Sequence, residues 1–364
     1  MDRALNLARL QHLCRSSLTA SRSVLGPLVA QTGRVLLGSW VNILLFCVPA
    51  GLALNYTSGP ALAIFIVNFF AAVGLLALGD TALECITSRV GSLYGSLLYI
   101  STSNLMQMIS SIVLLVQNQV DLLQVSLVGS LLANILLLPA LSIFYAAFRR
   151  KFMAHNYHIN RNYTLMLSLA VSGFIIPTVF DREPIFSPAS TAAVSRATSI
   201  ILMLAYGAHL YFQLSVHRNR FGHFMRERHE KADELLISIR VALGIFVVTS
   251  VLLYFCVDLV VNSIQELEED SSGFGFFTGF ILIPILNCDV AAVEQAGRSM
   301  DLMLMFTIGK CIQSALLIAP FLVVISWGMG IDTLNLSFDL WMVVSLFISV
   351  YILNTLLIRE SFNC

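Results

Sequence analysis

Ten apolar runs, each near the length that crosses a bilayer, dominate what this chain can fold into. A membrane-spanning helix needs roughly 20 mostly apolar residues. Runs near 36–54, 60–78, 94–117, 121–147, 163–180, 192–214, 237–260, 273–290, 301–327 and 338–357 qualify. Hydrocarbon offers a backbone no hydrogen-bond partner, and no barrel-like alternation is present, so the runs are expected to be helices. Composition agrees: of 364 residues only 12% are charged, against about 25% in soluble domains. Net charge is zero, which gives no reason to expect a nucleic-acid partner; the partner implied is the lipid bilayer. The seven cysteines form no CxxC pair, so neither a disulfide framework nor a zinc site is indicated. A glycine-rich phosphate loop, a nucleophile elbow and a zinc-ligand helix are all missing, and an enzyme is not expected.

Basic loops set the orientation. The arginine-bearing N-terminus, "RRK" at 149–151, "HRNRFGHFMRERHEK" at 217–231 and "GRS" at 297–299 fall on one side. "DREP" at 181–184 and "QELEED" at 265–270 fall on the other. Ten spans satisfy this alternation with both termini in the cytosol. The chain then divides into a cytosolic segment 1–35, a first half 36–214, a charged cytosolic loop 215–236 and a second half 237–364. An odd number of spans per half turns the second half upside down, a transporter arrangement whose substrate site lies at the midplane between repeats. The halves echo one another: in "LQVSLVGSLLANILLLPA" (123–140) and "MLMFTIGKCIQSALLIAP" (303–320), Gly129 answers Gly309, Asn134 roughly answers Gln313, and a proline follows each.

Within the third run, "SNLMQMISSIV" (103–113) places Asn104, Gln107, Ser110 and Ser111 at helical spacing on one face. Such a face either bonds neighbouring helices, at about 1 kcal/mol per bond, or lines an ion path.

Several stretches together resemble the fungal vacuolar calcium/proton exchangers, the CAX branch of the cation/calcium exchanger superfamily. They are "SWVNILLFCVPAG" (39–51), "LVGSLLANILLL" (127–138), "SRATSIILMLAYGAHLYFQL" (195–214), "FTGFILIPIL" (277–286), "QSALLIAPFLVVISWGMG" (313–330) and "LNLSFDLWMVVSLFISVYILNTLL" (334–357). The likeness implies an all-α integral membrane protein with about ten transmembrane helices as two inverted five-helix repeats, the sodium/calcium exchanger fold. It counts the linking helix in the first repeat and makes the second C-terminally shortened. It further implies a Ca²⁺/H⁺ antiporter-like transporter of an endomembrane, the vacuolar membrane first. No cofactor is expected beyond transported Ca²⁺ and H⁺, and homo- or hetero-oligomers with exchanger relatives are an option.

In that family two polar motifs, G-N-A-V-E and G-N-A-A-E-H, hold the cation, and their glutamates exchange Ca²⁺ for protons. Here Ser103, Asn104 and Gln107 fall on the glycine, asparagine and glutamate of the first. The second is irregular: Asn287 is the candidate asparagine, and Asp289 or Glu294 the candidate acid, neither at the family spacing. The family's G-S-S-x-Q becomes Gly309, Lys310, Cys311, Ile312, Gln313. Candidate cation ligands are therefore Asn104, Gln107, Asn287, Asp289, Glu294 and Gln313, modified by Lys310 and by Asp258, which matches a family acid in "CVDLV". The physics of this site is unfavourable to Ca²⁺, which takes six to eight oxygens and draws affinity from carboxylates. An amide such as Gln107 neither carries charge nor titrates. A lysine ~6 Å from a divalent ion repels it by roughly 5 kcal/mol at an effective dielectric of ~20, unless it loses its proton or pairs with Asp289 or Glu294. The expected site is thus degenerate, and a transport-inactive relative with a structural or regulatory role is the alternative. Glu84 and Arg89 are expected on a cytosolic interface helix after the second span, and His217, His223 and His229 of the basic loop fall six apart, a spacing that does not put them on one helix face, so a metal site is not expected there.

Overall fold

The computed structural model describes residues 33, 40–57, 59–90, 98, 102, 104–148, 153–154, 157–183, 185, 187–216, 238–270, 273–286, 300–331, 333–358 and 361–362. Nearly all of the N-terminal segment and of the charged loop, and Asn287, Asp289 and Glu294, lie outside them.

Ten apolar helices are present among the described residues. They are α1 (40–56, opening as a tight turn Trp40–Phe46), α2 (Ala61–Val90), α3 (Leu105–Val116), α4 (120–148), α5 (Tyr157–Arg182) and α6 (Pro188–Val216), then α7 (Ile239–Asp270), α8 (274–286), α9 (300–328) and α10 (Leu340–Ile358). Six are long and apolar enough to cross a membrane, and four shorter apolar helices, within α1, α3, α8 and α10, complete the set. Large apolar side chains such as Phe144, Ile201, Leu204 and Phe347 are exposed on the outer surface, as they are where lipid tails are the solvent. The chain is a multi-pass integral membrane protein.

Two helices exceed expectation. α2 has 30 residues and α7 has 32, which at 1.5 Å per residue makes them about 45 and 48 Å long, well beyond a hydrocarbon core of about 30 Å. Glu84 and Arg89 therefore stand on the last turns of α2 itself, not on a separate interface helix. No proline interrupts "LGDTALECITSRV" (78–90), and its Ala, Leu and Glu residues favour continuing the helix. α2 and α7 pack along each other, with Leu78, Cys85, Ile86, Val241 and Ala242 forming a small core of their own.

The main core is one continuous cluster to which all ten helices contribute. Its buried members include Leu123, Val128 and Leu131 of α4, Leu304, Ile308 and Ile312 of α9, and Leu167, Val171 and Phe174 of α5. Three wide, π-type turns shape this region: Ala133–Leu137 in α4, Thr278–Leu282 in α8 and Ser314–Ile318 in α9. Each is followed, two residues on, by a proline: Pro139, Pro284 and Pro320. Proline has no N–H to donate, and its ring clashes with the carbonyl four residues back. Widening the preceding turn shifts that carbonyl aside, with Leu138, Ile283 and Ala319 reaching back five residues to Ala133, Thr278 and Ser314.

The loop from α9 to α10 is fastened over the first half. Leu336 N–H donates to Ser195 Oγ at 2.7 Å, Phe338 N–H to Thr178 Oγ1 at 3.2 Å, and the Gln124 amide to the carbonyls of Asn335 and Ser337. On the opposite side of the molecule, Met153–Ala154 pairs antiparallel with Ser361–Phe362.

Candidate cation site

The polar face expected on the third run is a face of α3. At about 100° per residue, positions 104, 107, 110, 111, 114 and 117 share one side, whereas 105, 106, 108, 109, 112, 113, 115 and 116 are all apolar. The polar side turns toward α9 of the other repeat. Asn104, one residue before the first turn of α3, does not cap its own helix. Its Nδ2 instead donates to the Lys310 carbonyl and to Gln313 Oε1, both at 3.0 Å. One turn further along, Gln107 Nε2 donates to Ser314 Oγ at 2.7 Å. Ser110 Oγ donates to the Gln107 carbonyl at 3.1 Å. Gln107 and Gln313 are each 2% exposed and Lys310 only 8%, so these contacts are sealed from lipid and water alike.

Three of the expected site residues, Asn104, Gln107 and Gln313, are thus brought together, and Lys310 belongs to the same buried stretch of α9. The segment of α9 that receives α3 is the start of its wide turn, which begins at Ser314. Ser314 was not among the expected residues; the signal available for it was its place one helical turn after Lys310 and next to Gln313. Asp258 is not joined to this group. It stands on α7 at the far end of α3, accepting from Gln117 Nε2 at 2.6 Å and from Asn262 Nδ2 at 3.5 Å. Gln117 is 13 residues beyond Asn104, a rise of about 20 Å.

The corresponding crossing in the other half, α4 with α8, is tight. A Cβ added to Gly129 would lie 2.5 Å from the Phe280 carbonyl oxygen and 2.7 Å from Pro284 Cγ. Phe280 is the residue four before Pro284, so its carbonyl is the one the proline cannot bond; it seats on the bare Cα of Gly129. On α4, Asn134 Nδ2 donates within its own helix to the Ser130 carbonyl at 2.8 Å.

The buried oxygens Ser111 Oγ, Asn134 Oδ1 and Thr278 Oγ1 accept no hydrogen bond. Oxygens of that kind suit a hard cation, but they are neutral. No group of three or more His, Cys, Asp or Glu side chains converges anywhere among the described residues. The described part of the site is therefore a cradle of amides, hydroxyls and main-chain carbonyls beside one lysine.

The sodium/calcium exchanger protein family profile matches residues 60–215. A vacuolar calcium ion transporter of Schizosaccharomyces pombe is 31% identical over 336 residues, covering 90% of this chain and 81% of the relative. A Ca²⁺/H⁺ antiporter of Aphanothece halophytica is 26% identical over 329 residues, covering 86% and 88%. Among solved structures, native YfkE superposes with a TM-score of 0.72 at 24% identity, covering 87% of this chain and 91% of that one. The H⁺/Ca²⁺ exchanger CAX gives 0.60 at 12% identity, covering 89% and 81%. At such identities these two speak for the fold alone.

Proposed function

Because the chain belongs to the sodium/calcium exchanger family, in its calcium/proton exchanger branch, we propose that it is a Ca²⁺/H⁺ antiporter-like cation transporter of an endomembrane, the vacuolar membrane first, whose ion site is degenerate. The observation that carries this reading is the buried contact between repeats, Asn104 with Gln313 and Gln107 with Ser314. It sits where an inverted-repeat carrier holds its substrate, and amides and hydroxyls occupy it in place of carboxylates. In this reading Asn104, Gln107 and Gln313 are the remaining ligands, Lys310 lowers the affinity for a divalent ion, and Asn287 with Asp289 or Glu294, which lie outside the described residues, are the further candidate ligands. Residues 36–214 and 237–364 are the two repeats.

The same contact favours a second reading, a transport-inactive relative with a structural or regulatory role, because each amide already has a partner and cation entry would have to part them. Proton-driven ⁴⁵Ca²⁺ uptake into vesicles carrying the purified protein separates the two. The first reading expects weak uptake that vanishes when the pH gradient is collapsed. Uptake indistinguishable from empty vesicles, by a protein that elutes intact, would leave only the second.

A further inference from the structure

The polar side of α3 continues past the midplane contact, and one residue interrupts it. Between 104 and 117 the positions on this side are Asn104, Gln107, Ser110, Ser111, Leu114 and Gln117. Five are polar. The sixth, Leu114, falls near the middle of the arc, between the Gln107–Ser111 group and Gln117. It is fully buried, at 0% exposure. Beneath it Ser111 Oγ is buried without a hydrogen-bond partner, and above it Gln117 Oε1 is likewise buried and unpartnered while Gln117 Nε2 holds Asp258.

Leu114 packs into the main core, yet it stands outside the apolar face that α3 otherwise presents. Every position from 105 to 116 outside the polar arc is apolar. Leu114 is thus the one apolar residue on the side of α3 that is otherwise polar from the contact between repeats to its lumenal end. Gln117 lies seven residues from Ser110, a rise of about 10 Å, and the leucine fills the interval. Hydrophobic constrictions of that kind stop hydrated ions by excluding water rather than by charge.

From this geometry we propose that Leu114 is the lumenal gate of the ion path, a hydrophobic plug that parts Gln107, Ser110 and Ser111 from Gln117 and Asp258. The proposal rests on reading the polar side of α3 as the wall of a path. It assigns Leu114 no contact with the transported ion. Its side chain must leave the column, or α3 must shift against its neighbours, before the midplane residues meet lumenal water.

Water access, not turnover, tests it. Single cysteines at Ser111→Cys and Gln117→Cys bracket the plug. Each is probed with a membrane-impermeant methanethiosulfonate applied to the lumenal face in orientation-sorted proteoliposomes, with the native cysteines giving the background rate. The Gln117 cysteine should label at least tenfold faster than the Ser111 cysteine. Adding Leu114→Ala should raise labelling at 111 at least tenfold and leave 117 unchanged. Equal rates at 111 and 117 with Leu114 in place would overturn the proposal, and that comparison needs no change at the gate. A Leu114→Ala protein that elutes intact but labels no faster at 111 would also overturn it. Because labelling is independent of transport, a chain that carries no ⁴⁵Ca²⁺ still passes or fails this test, and the two ideas fail separately.

Discussion

The crossings of α3 with α9 and of α4 with α8 correspond under the inverted repeat, yet they are held by opposite means. In the first, side chains bridge: Asn104 reaches Gln313 and Gln107 reaches Ser314. In the second the helices meet as backbone, with Gly129 beneath the Phe280 carbonyl and Gly279 against Leu122. A side-chain bridge can change its chemistry without moving a helix, because amide, carboxylate and hydroxyl groups all form hydrogen bonds. A backbone contact cannot, because any added atom collides. The first crossing is therefore where a transporter's chemistry can drift while its scaffold holds, and in the function proposed above that drift has removed negative charge.

The largest effect expected comes from reversing that drift. Gln107→Glu combined with Lys310→Ser should raise Ca²⁺ affinity at least about a hundredfold, since roughly 5 kcal/mol of repulsion disappears and a carboxylate is gained. The bridge survives the change: the Ser314 hydroxyl, which accepts from Gln107, would donate to the glutamate. Equilibrium ⁴⁵Ca²⁺ binding to protein in lipid nanodiscs measures it. No gain would mean that the Lys310 ammonium lies away from the cradle, and that the two crossings differ in packing alone.

Next in size is the backbone crossing. Gly129→Ala should destabilise the protein by about 1–3 kcal/mol, the usual cost of overpacking, because the Phe280 carbonyl cannot swing aside as a side-chain tip would. A lower melting temperature in detergent, with no change in Ca²⁺ binding beyond that due to unfolded protein, is the result expected. An unchanged melting temperature would show that α8 slides freely on α4 and that this crossing is no more fixed than its counterpart.

Much of this was legible beforehand, for physical reasons that differ by element. The ten spans are written in runs of apolar residues because lipid leaves the backbone no other partner. That Asn104 and Gln107 would either bond a neighbouring helix or line an ion path could be anticipated because buried amides must find partners, although which helix supplies them could not. The partner Ser314 could not, since a hydroxyl in a membrane helix commonly bonds its own backbone, as Ser142 does to Leu138. The wide turns were illegible too. A proline announces some disturbance, but kink, bulge and widened turn are all solutions, and Pro139, Pro284 and Pro320 take the same one only in the packed structure. Gly129 could be matched to Gly309 as a repeat position, whereas its close approach to Phe280 depends on a carbonyl that only the wide turn of α8 exposes. Asp258 shows the limit of matching single residues: its resemblance put it with the site, and its hydrogen bonds put it beside Gln117, about 20 Å along α3.

A smaller effect contrasts the two asparagines. Asn104→Leu removes two hydrogen bonds that tie the repeats together, one to the Lys310 carbonyl and one to Gln313 Oε1, so about 1–2 kcal/mol should be lost. Asn134→Leu should cost less, because its amide bonds only its own helix and its oxygen already lacks a partner. Thermal unfolding of the two variants side by side tests this ordering. Equal losses would mean that α4 makes an interhelical contact through Asn134 equal in weight to that of α3.

The finest distinction concerns how much the Gln107–Ser314 bond itself contributes. Its 2.7 Å separation and deep burial suggest a strong interaction, but in a membrane the unfolded reference also finds partners for its amides. Measured couplings between transmembrane helices accordingly average about 0.6 kcal/mol and reach at most about 1.7. A double-mutant cycle with Gln107→Ala, Ser314→Ala and the pair, read by unfolding in detergent, should return a coupling of about 0.6 kcal/mol. A value near zero would make the bridge an incidental contact and favour a site that opens readily to a cation. A value at the upper end would make it a lock, and would favour the chain whose repeats no longer part.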